Sequence, residues 1–253
     1  VILERFKGYK PRQEPSSSYA GRKTSYLDRI EFIVVPDMAT RIPALETGEL
    51  DFVYGAPRDE YERLQKNPDL LINLTKPNAW LATVINKAIP PFNNVKMRQA
   101  LQAAVDIEEI MRLAVGSPKF FNVTPAIFFE GTTWGSMACK GLYNQADLEK
   151  AKALVKEAGG PPREPIIVLA AKDYEHFYNA SLGMKAVLEK LGFKVDFRVT
   201  DYATVVATRS KKDAWHMFCT GFTPNTTLEP ANTLWMNPKW AGWYESPQMD
   251  KLY

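Results

Sequence analysis

Residues Pro90 to Met111, PPFNNVKMRQALQAAVDIEEIM, decide how this chain is read. The proline pair favours an extended approach. Asn93 and Asn94 follow, side chains suited to capping a helix. Met97, Leu101, Ala104 and Val105 then recur at i, i+4, i+7 and i+8, one apolar stripe of an amphipathic helix. Asp106, with Glu109 three residues on, repeats the capping pattern and opens a second short helix. Strand exit, helix, new cap and helix together describe a core-forming piece of an α/β domain. The stretch holds no nucleophile, no metal cluster and no glycine cradle.

Toward the N-terminus, residues 1–26 read as irregular, with Pro11, Pro15, Ser16 to Ser18 and Gly21. Arg29 to Val35, RIEFIVV, reads as a strand. Asp37 caps a helix running to Thr47, with Gly48 just beyond it. Leu50 to Tyr54 reads as a second strand, so the segment predicts a βαβ-like unit with a right-handed crossover. A polar helix over Arg58 to Lys66 ends at Asn67-Pro68. Strands are expected at Leu70 to Leu74 and at Trp80 to Asn86.

Toward the C-terminus, Pro118 to Gly141 is loop-like yet carries Phe120, Phe121, Phe128, Phe129 and Trp134. A loop so long and aromatic is more often functional, or tucked against a neighbour, than a plain connector. Asn144 is expected to cap a helix with Leu148, Ala151, Val155 and Ala158 on one face, closed by Gly159-Gly160-Pro161-Pro162. Strands over Ile166 to Ala170, Phe193 to Val199 and Trp215 to Phe222 alternate with helices over Asp173 to Leu191 and Tyr202 to Arg209. That order predicts an open α/β sheet.

The 253 residues allow one large or two small domains. Hydrophobic content of 45% and charged content of 24% are those of a folded globular chain. The formal net charge is only +3 and the basic residues are dispersed, which argues against a nucleic-acid partner. No apolar run approaches the ~18 residues of a membrane-spanning helix. The chain starts at Val1 without an initiator Met or a signal peptide, and is expected to be a piece of a longer protein. Cys139 and Cys219 are the two cysteines. In an exported protein they could pair, closing a loop worth ~4 kcal/mol in the chain-entropy picture. The alternative is two buried free thiols.

The catalytic inventory is thin. No G-x-G-x-x-G, P-loop or G-x-S-x-G pattern occurs. His176 sits at an aromatic helix start, and His216 alternates with Trp215 and Met217 on a strand. His176 reads as a packing or solvent-exposed side chain, and His216 as a buried, hydrogen-bonded one. Glu46, Glu49 and Asp51 cluster beside Gly48 as a solvated turn. An α/β enzyme of hydrolase type would need a converging acid/base pair from these parts. The aromatics are more informative. Open α/β sheets bind ligands beyond the carboxyl ends of their strands. That rule makes Phe222 to Asn225 the first candidate site, with Phe222 as a wall and Thr223 and Asn225 as hydrogen-bonding groups. Trp134 is the second candidate and Trp80, at a strand start, the third. No metal ligand set and no cofactor is indicated.

The motif order resembles that of the family 5 extracellular solute-binding proteins, the dipeptide-, oligopeptide- and nickel-binding components of ABC importers. Tyr26-Leu27-Asp28-Arg29-Ile30-Glu31-Phe32 is similar to the family's YLDxIxF strand. Pro36-Asp37, Arg41 and Ala44 to Asp51 are similar to its PD…R…AL…GExD run. Asn86, Pro90-Pro91-Phe92 and Val95 to Ile110 match a third motif, and Asp147 to Gly159 a fourth. The resemblance implies a two-lobed, hinged protein about twice this length. Its fold would be that of a type II periplasmic binding protein lobe, a mixed sheet flanked by helices. Residues 1–25 would lead in from the other lobe, 26–225 would form the large C-terminal lobe, and 226–253 would return toward the other lobe. The partners implied are a peptide or other small solute and ABC permease subunits in the membrane. The protein would act as a monomer, in the periplasm or tethered outside the membrane. Peptide-binding members carry a Gly-Trp pair followed by an Asp that holds the peptide ammonium. Here Gly221-Phe222 stands for the pair and Asn225 falls at the Asp, which removes the charge. Glu229 is a nearby substitute. A solute sensor or chaperone-like module on the same scaffold is a further reading.

Overall fold

The computed structural model describes residues 1–17, 20–35, 37–75, 79–128, 131, 133–222, 237–248 and 250–251, with Met38 described by its backbone alone. The chain divides into two compact units, Val1–Asn73 and Leu74–Tyr253. The division falls inside the span 26–225 that was expected to form one lobe.

In the first unit β1 (Ile2–Glu4) pairs antiparallel with β2 (Arg29–Glu31), Leu3 opposite Ile30. The strand expected to run to Val35 stops early, because a strand lasts only as long as its hydrogen-bonded partner. The last rung is Phe32 N–H to the Val1 carbonyl at 2.7 Å. Helix α1 (Met38–Glu46) starts where the sequence indicated, with the Asp37 carboxylate accepting the Ala39 N–H. Gly48 follows it at φ +77°, a left-handed position that suits glycine. The expected strand over Leu50 to Tyr54 does not form, and Phe52 and Tyr54 stand exposed. The βαβ-like unit is therefore absent, as is a strand over Leu70 to Leu74. Helix α2 (Tyr61–Leu64) is a single turn within the span Arg58 to Lys66. Arg63 ties it to α1 through Glu46.

The second unit is built on a four-stranded mixed sheet. Its strands are β3 (Trp80–Ile85), β4 (Ile166–Ala171), β5 (Val195–Thr200) and β6 (Met217–Phe222), in the order β3-β6-β4-β5. β4, β5 and β6 run parallel, and β3 runs antiparallel to β6. The helices of the opening stretch form as its sequence indicates, α3 (Val95–Ala104) and α4 (Ile107–Val115). Pro90 to Asn93 make a turn instead of the expected extended approach, with the Asn93 N–H donating to the Ile89 carbonyl. Asn94 accepts the Lys96 N–H and Asp106 the Glu109 N–H. Met97 and Leu101 are buried as expected, joined by Ala100 and Ala103. Helix α5 (Leu148–Glu157) takes its cap from Asp147 rather than from Asn144. Asn144, at φ +50°, instead accepts the Ile107 N–H at 2.6 Å and so helps to open α4.

Two helical layers cover the sheet. On one face α6 (Glu175–Lys190) packs with α3, α4 and α5. Gly183 lets α4 approach α6, since a Cβ there would lie 2.4 Å from the Ile110 side chain. On the other face α7 (Tyr202–Thr208) buries Val205 against Leu169, Trp215 and Phe218. The described part of the expected return segment adds Trp240 and Trp243 to this face. Arg209, Lys212 and Lys87 lie over the rings of Trp240, Trp243 and Tyr244.

The disulfide considered from the sequence is not formed. Cys139 is exposed, whereas Cys219 is buried in the core under α6, and both thiols are free. The Cys219 sulfur lies 3.4 Å from the Thr83 hydroxyl, and burial pushes its thiol pKa up.

Asn86 locks the end of β3. It is fully buried, and its amide donates to the carbonyls of Lys212 and Trp215 at 2.7 and 2.8 Å. Its Oδ1 accepts the Ala88 N–H, and its own N–H donates to the His216 carbonyl. His216 extends the lock to β4, its Nδ1 accepting the Ile167 N–H at 2.9 Å. That bond requires an unprotonated Nδ1, and burial lowers the His216 pKa from its ordinary value. The unfolded chain therefore takes up a proton before the folded one does. The stability this neutral histidine supports is present above about pH 6.5 and is lost as pH falls below it. His216→Asn retains an acceptor near the Nδ1 position and does not titrate. Between pH 7.5 and pH 5.5 the wild-type Tm is expected to drop further than that of this variant. Equal drops would remove His216 as the cause.

Candidate ligand-binding site

The strand connections locate a crevice. From β4 the chain passes through α6 on one face of the sheet to β5, then through α7 on the other face to β6. Neighbouring strands β4 and β5 thus send their carboxyl ends to opposite faces, the topological switch point at which open α/β sheets take ligands. β4 and β6 are paired only at Val168–Met217 and Leu169–Phe218. Beyond Leu169 the ladder between them ends, and side chains occupy the edge in its place.

Those side chains are aromatic. Tyr202 packs against the apolar clusters on both faces of the sheet. Its hydroxyl lies 2.7 Å from that of Thr220, which is buried on β6. Phe177, on the first turn of α6, stacks on Tyr174 with ring centres 5.2 Å apart and planes at 19°. Tyr202 lies 5.0 Å from Tyr174 and 5.5 Å from Phe177. His176 adjoins the group, 4.3 Å from Phe177. Gly221 makes room for it, because a Cβ there would approach the Phe177 ring to 3.2 Å.

The two strand exits share one device. β4 is followed by Lys172-Asp173-Tyr174, and β5 ends in Thr200 with Asp201-Tyr202 next. Asp173 Oδ1 accepts the Tyr202 N–H at 2.8 Å, which joins the two turns. Asp201 accepts the N–H and the hydroxyl of Thr204 at the start of α7. These bonds hold the Asp201 carboxyl below its ordinary pKa, the backbone bond first. The repeated Asp-Tyr pair after two parallel strands is visible in the sequence, and it is the signal by which this cluster could have been found.

Of the residues nominated from the sequence, the structure brings together Phe222 and Trp80. They are opposed across the β6–β3 ladder. Phe222 is only 9% exposed and turns its ring edge to Trp240 at 5.6 Å, so it is more a core residue than a wall. Trp134 belongs to the segment between α4 and α5, away in sequence from both strands, and is 50% exposed. Thr223 and Asn225 lie outside the described residues. The lysine with the most depressed pKa, Lys87, follows the opposite end of β3. Burial first, then the charge of Arg98, pushes it down to about 8. Its position next to Gly242 makes it part of the packing there. Among the described residues no group of three metal-ligating side chains occurs.

The second unit is thus a mixed sheet flanked by helices, and comparison with known proteins identifies the family of the chain. The family described as bacterial extracellular solute-binding proteins, family 5 Middle, matches residues 1–245. The chain belongs to this family, whose members bind solutes and are not enzymes. A probable peptide ABC transporter periplasmic-binding protein of Sinorhizobium fredii is 33% identical over 98% of this chain and 49% of its own length. The nickel-binding periplasmic protein of Escherichia coli is 31% identical over 57% of this chain and 27% of its own length. Among solved structures, the ABC transporter substrate-binding protein CtaP of Listeria monocytogenes superposes with a TM-score of 0.76 at 22% identity. That match covers the whole chain and 50% of CtaP, and it speaks to the fold. The chain thus spans about half the length of the relatives that it matches from end to end.

Tyr202→Phe removes the hydroxyl that meets Thr220 without changing ring packing. It is expected to cost ~1 kcal/mol in urea unfolding. An unchanged midpoint would mean that this bond does not hold the edge together.

Proposed function

We propose that this chain is part of the substrate-binding component of an ABC importer. The full protein captures a peptide-like or other small organic solute between two hinged lobes and delivers it to permease subunits. The observation that carries this reading is the family match across residues 1–245, joined by the 33% identity to a peptide-binding relative over 98% of the chain. Residues 26–225 form the large C-terminal lobe of the full protein, with 1–25 leading in from the other lobe and 226–253 returning toward it. The solute meets this lobe at the carboxyl edge of β4, β5 and β6, with Phe222, Thr223, Asn225 and Trp80 in its neighbourhood and Trp134 as a further contact. The protein works as a monomer on the outer side of the cytoplasmic membrane, free in the periplasm or tethered there, and needs no cofactor.

Binding between two lobes has a thermodynamic consequence. Closure is favoured only by contacts that the solute makes with both lobes, so an isolated half binds weakly. Asn225 in place of a carboxylate also lowers the premium for a free peptide ammonium. A hydrogen bond involving an ionised acceptor contributes ~1.5–3 kcal/mol and a neutral one ~1 kcal/mol.

The test is a thermal-shift and calorimetric screen of the full-length protein against peptides, metal chelates and small organic solutes. At least one solute is expected to raise Tm, with affinity in the micromolar range or tighter. Silence across the library together with a hydrolytic activity would replace this reading with an enzyme. Full signalling activity without a permease would replace it with a sensor.

A further inference from the structure

Tyr174 breaks a local rule that the other described α-helices longer than a single turn keep; the one-turn α2, opening at Glu60, is also without a side-chain cap. Helices α1, α3, α4, α5 and α7 open at Asp37, Asn94, Asp106, Asp147 and Asp201, each accepting a first-turn N–H with its side chain. The longest helix, α6, opens at Tyr174, which makes no side-chain cap bond. The carboxylate that could have served, Asp173, is turned to the Tyr202 N–H instead. A position that gives up a favourable local interaction is where a functional constraint is expected.

What the position gains is a fixed aromatic face. Tyr174 is stacked on Phe177 from one side and tilted against Tyr202 from another, yet 44% of it stays exposed. Tyr202 is itself pinned by Thr220 and by Asp173. The ring stands directly after β4, at the carboxyl edge where the sheet turns to both faces. A tyrosine ring held in this way loses little conformational freedom when a ligand stacks on it. The carboxylates beside it, Asp173 and Asp201, are occupied by backbone N–H groups.

We propose that the ring of Tyr174 is a stacking surface for an aromatic side chain of a bound peptide, so that the site selects aromatic over small aliphatic peptides. The inference rests on the solute-binding reading and narrows its substrate class. Offset-stacked and edge-on ring pairs are favourable beyond the area they bury.

The probes are the dipeptides Ala-Phe, Ala-Tyr, Ala-Lys and Ala-Ala, titrated calorimetrically into the full-length protein and its Tyr174→Ala, Tyr174→Leu and Tyr174→Phe variants. Thermal melts establish that each variant is folded, and Tyr174→Leu keeps apolar bulk if Tyr174→Ala does not fold. Tyr174→Ala and Tyr174→Leu are expected to weaken Ala-Phe and Ala-Tyr by about five- to tenfold. Ala-Ala should change less than about twofold, and Tyr174→Phe should retain the wild-type order. A uniform loss across the four peptides, or a loss confined to Ala-Lys, overturns the proposal. So does a wild-type protein that binds neither aromatic dipeptide. In that case the wider solute screen decides separately whether the protein binds solutes at all.

Discussion

The second unit depends on one strand being satisfied from both sides. β6 gives its full length to the antiparallel ladder with β3 and only two positions to β4. Met217, Phe218 and Cys219 are buried, since helices or the return segment cover both faces of the sheet. A strand enclosed in this way reads as an apolar run and cannot slip register without placing polar groups in the core. At its start, Asn86 and His216 fix that register with buried hydrogen bonds. At its finish, the short ladder with β4 gives way to tyrosine and phenylalanine rings. Rigid polar anchoring at one end and aromatic packing at the other therefore arise from the same strand.

How much of this the sequence reveals depends on where each element finds its partners. The α3–α4 stretch is legible because its caps and its apolar stripe are local, and Asn94 and Asp106 act as the spacing indicates. The alternation of β4, α6, β5, α7 and β6 is legible for the same reason. Arg29 to Val35 and Leu50 to Tyr54 look like strands by composition, but strand pairing is a non-local property. The ladder there reaches only Glu31. Asn144 misleads in a related way: its side chain does cap a helix, but one that starts 37 residues earlier in sequence.

The site is less legible than the fold. Phe222 and Trp80 are aromatic and lie at strand ends, and the structure pairs them, but mostly as core. The residues that shape the edge, Tyr174, Phe177 and Tyr202, sit in sequence as ordinary helix-start aromatics. Their meeting depends on the crossover of α6 and α7 to opposite faces, which no short window of sequence contains. The repeated Asp-Tyr pair is the local trace of that arrangement. It becomes interpretable once Asp173 is seen to hold the turn of the following strand. A preorganised aromatic edge with its nearby carboxylates already engaged is suited to recognition rather than to acid–base chemistry, in keeping with a family of solute-binding proteins.

On the proposed reading, solute meets this chain at the carboxyl edge of the parallel strands. Hydrogen exchange of the full-length protein, with and without the solute that co-purifies with it, tests this most directly. Slowed exchange is expected in the segments 172–177, 200–204 and 219–222, with the helices α3 and α5 unchanged. Protection confined to the 118–143 loop, with no change at the three strand ends, would contradict it.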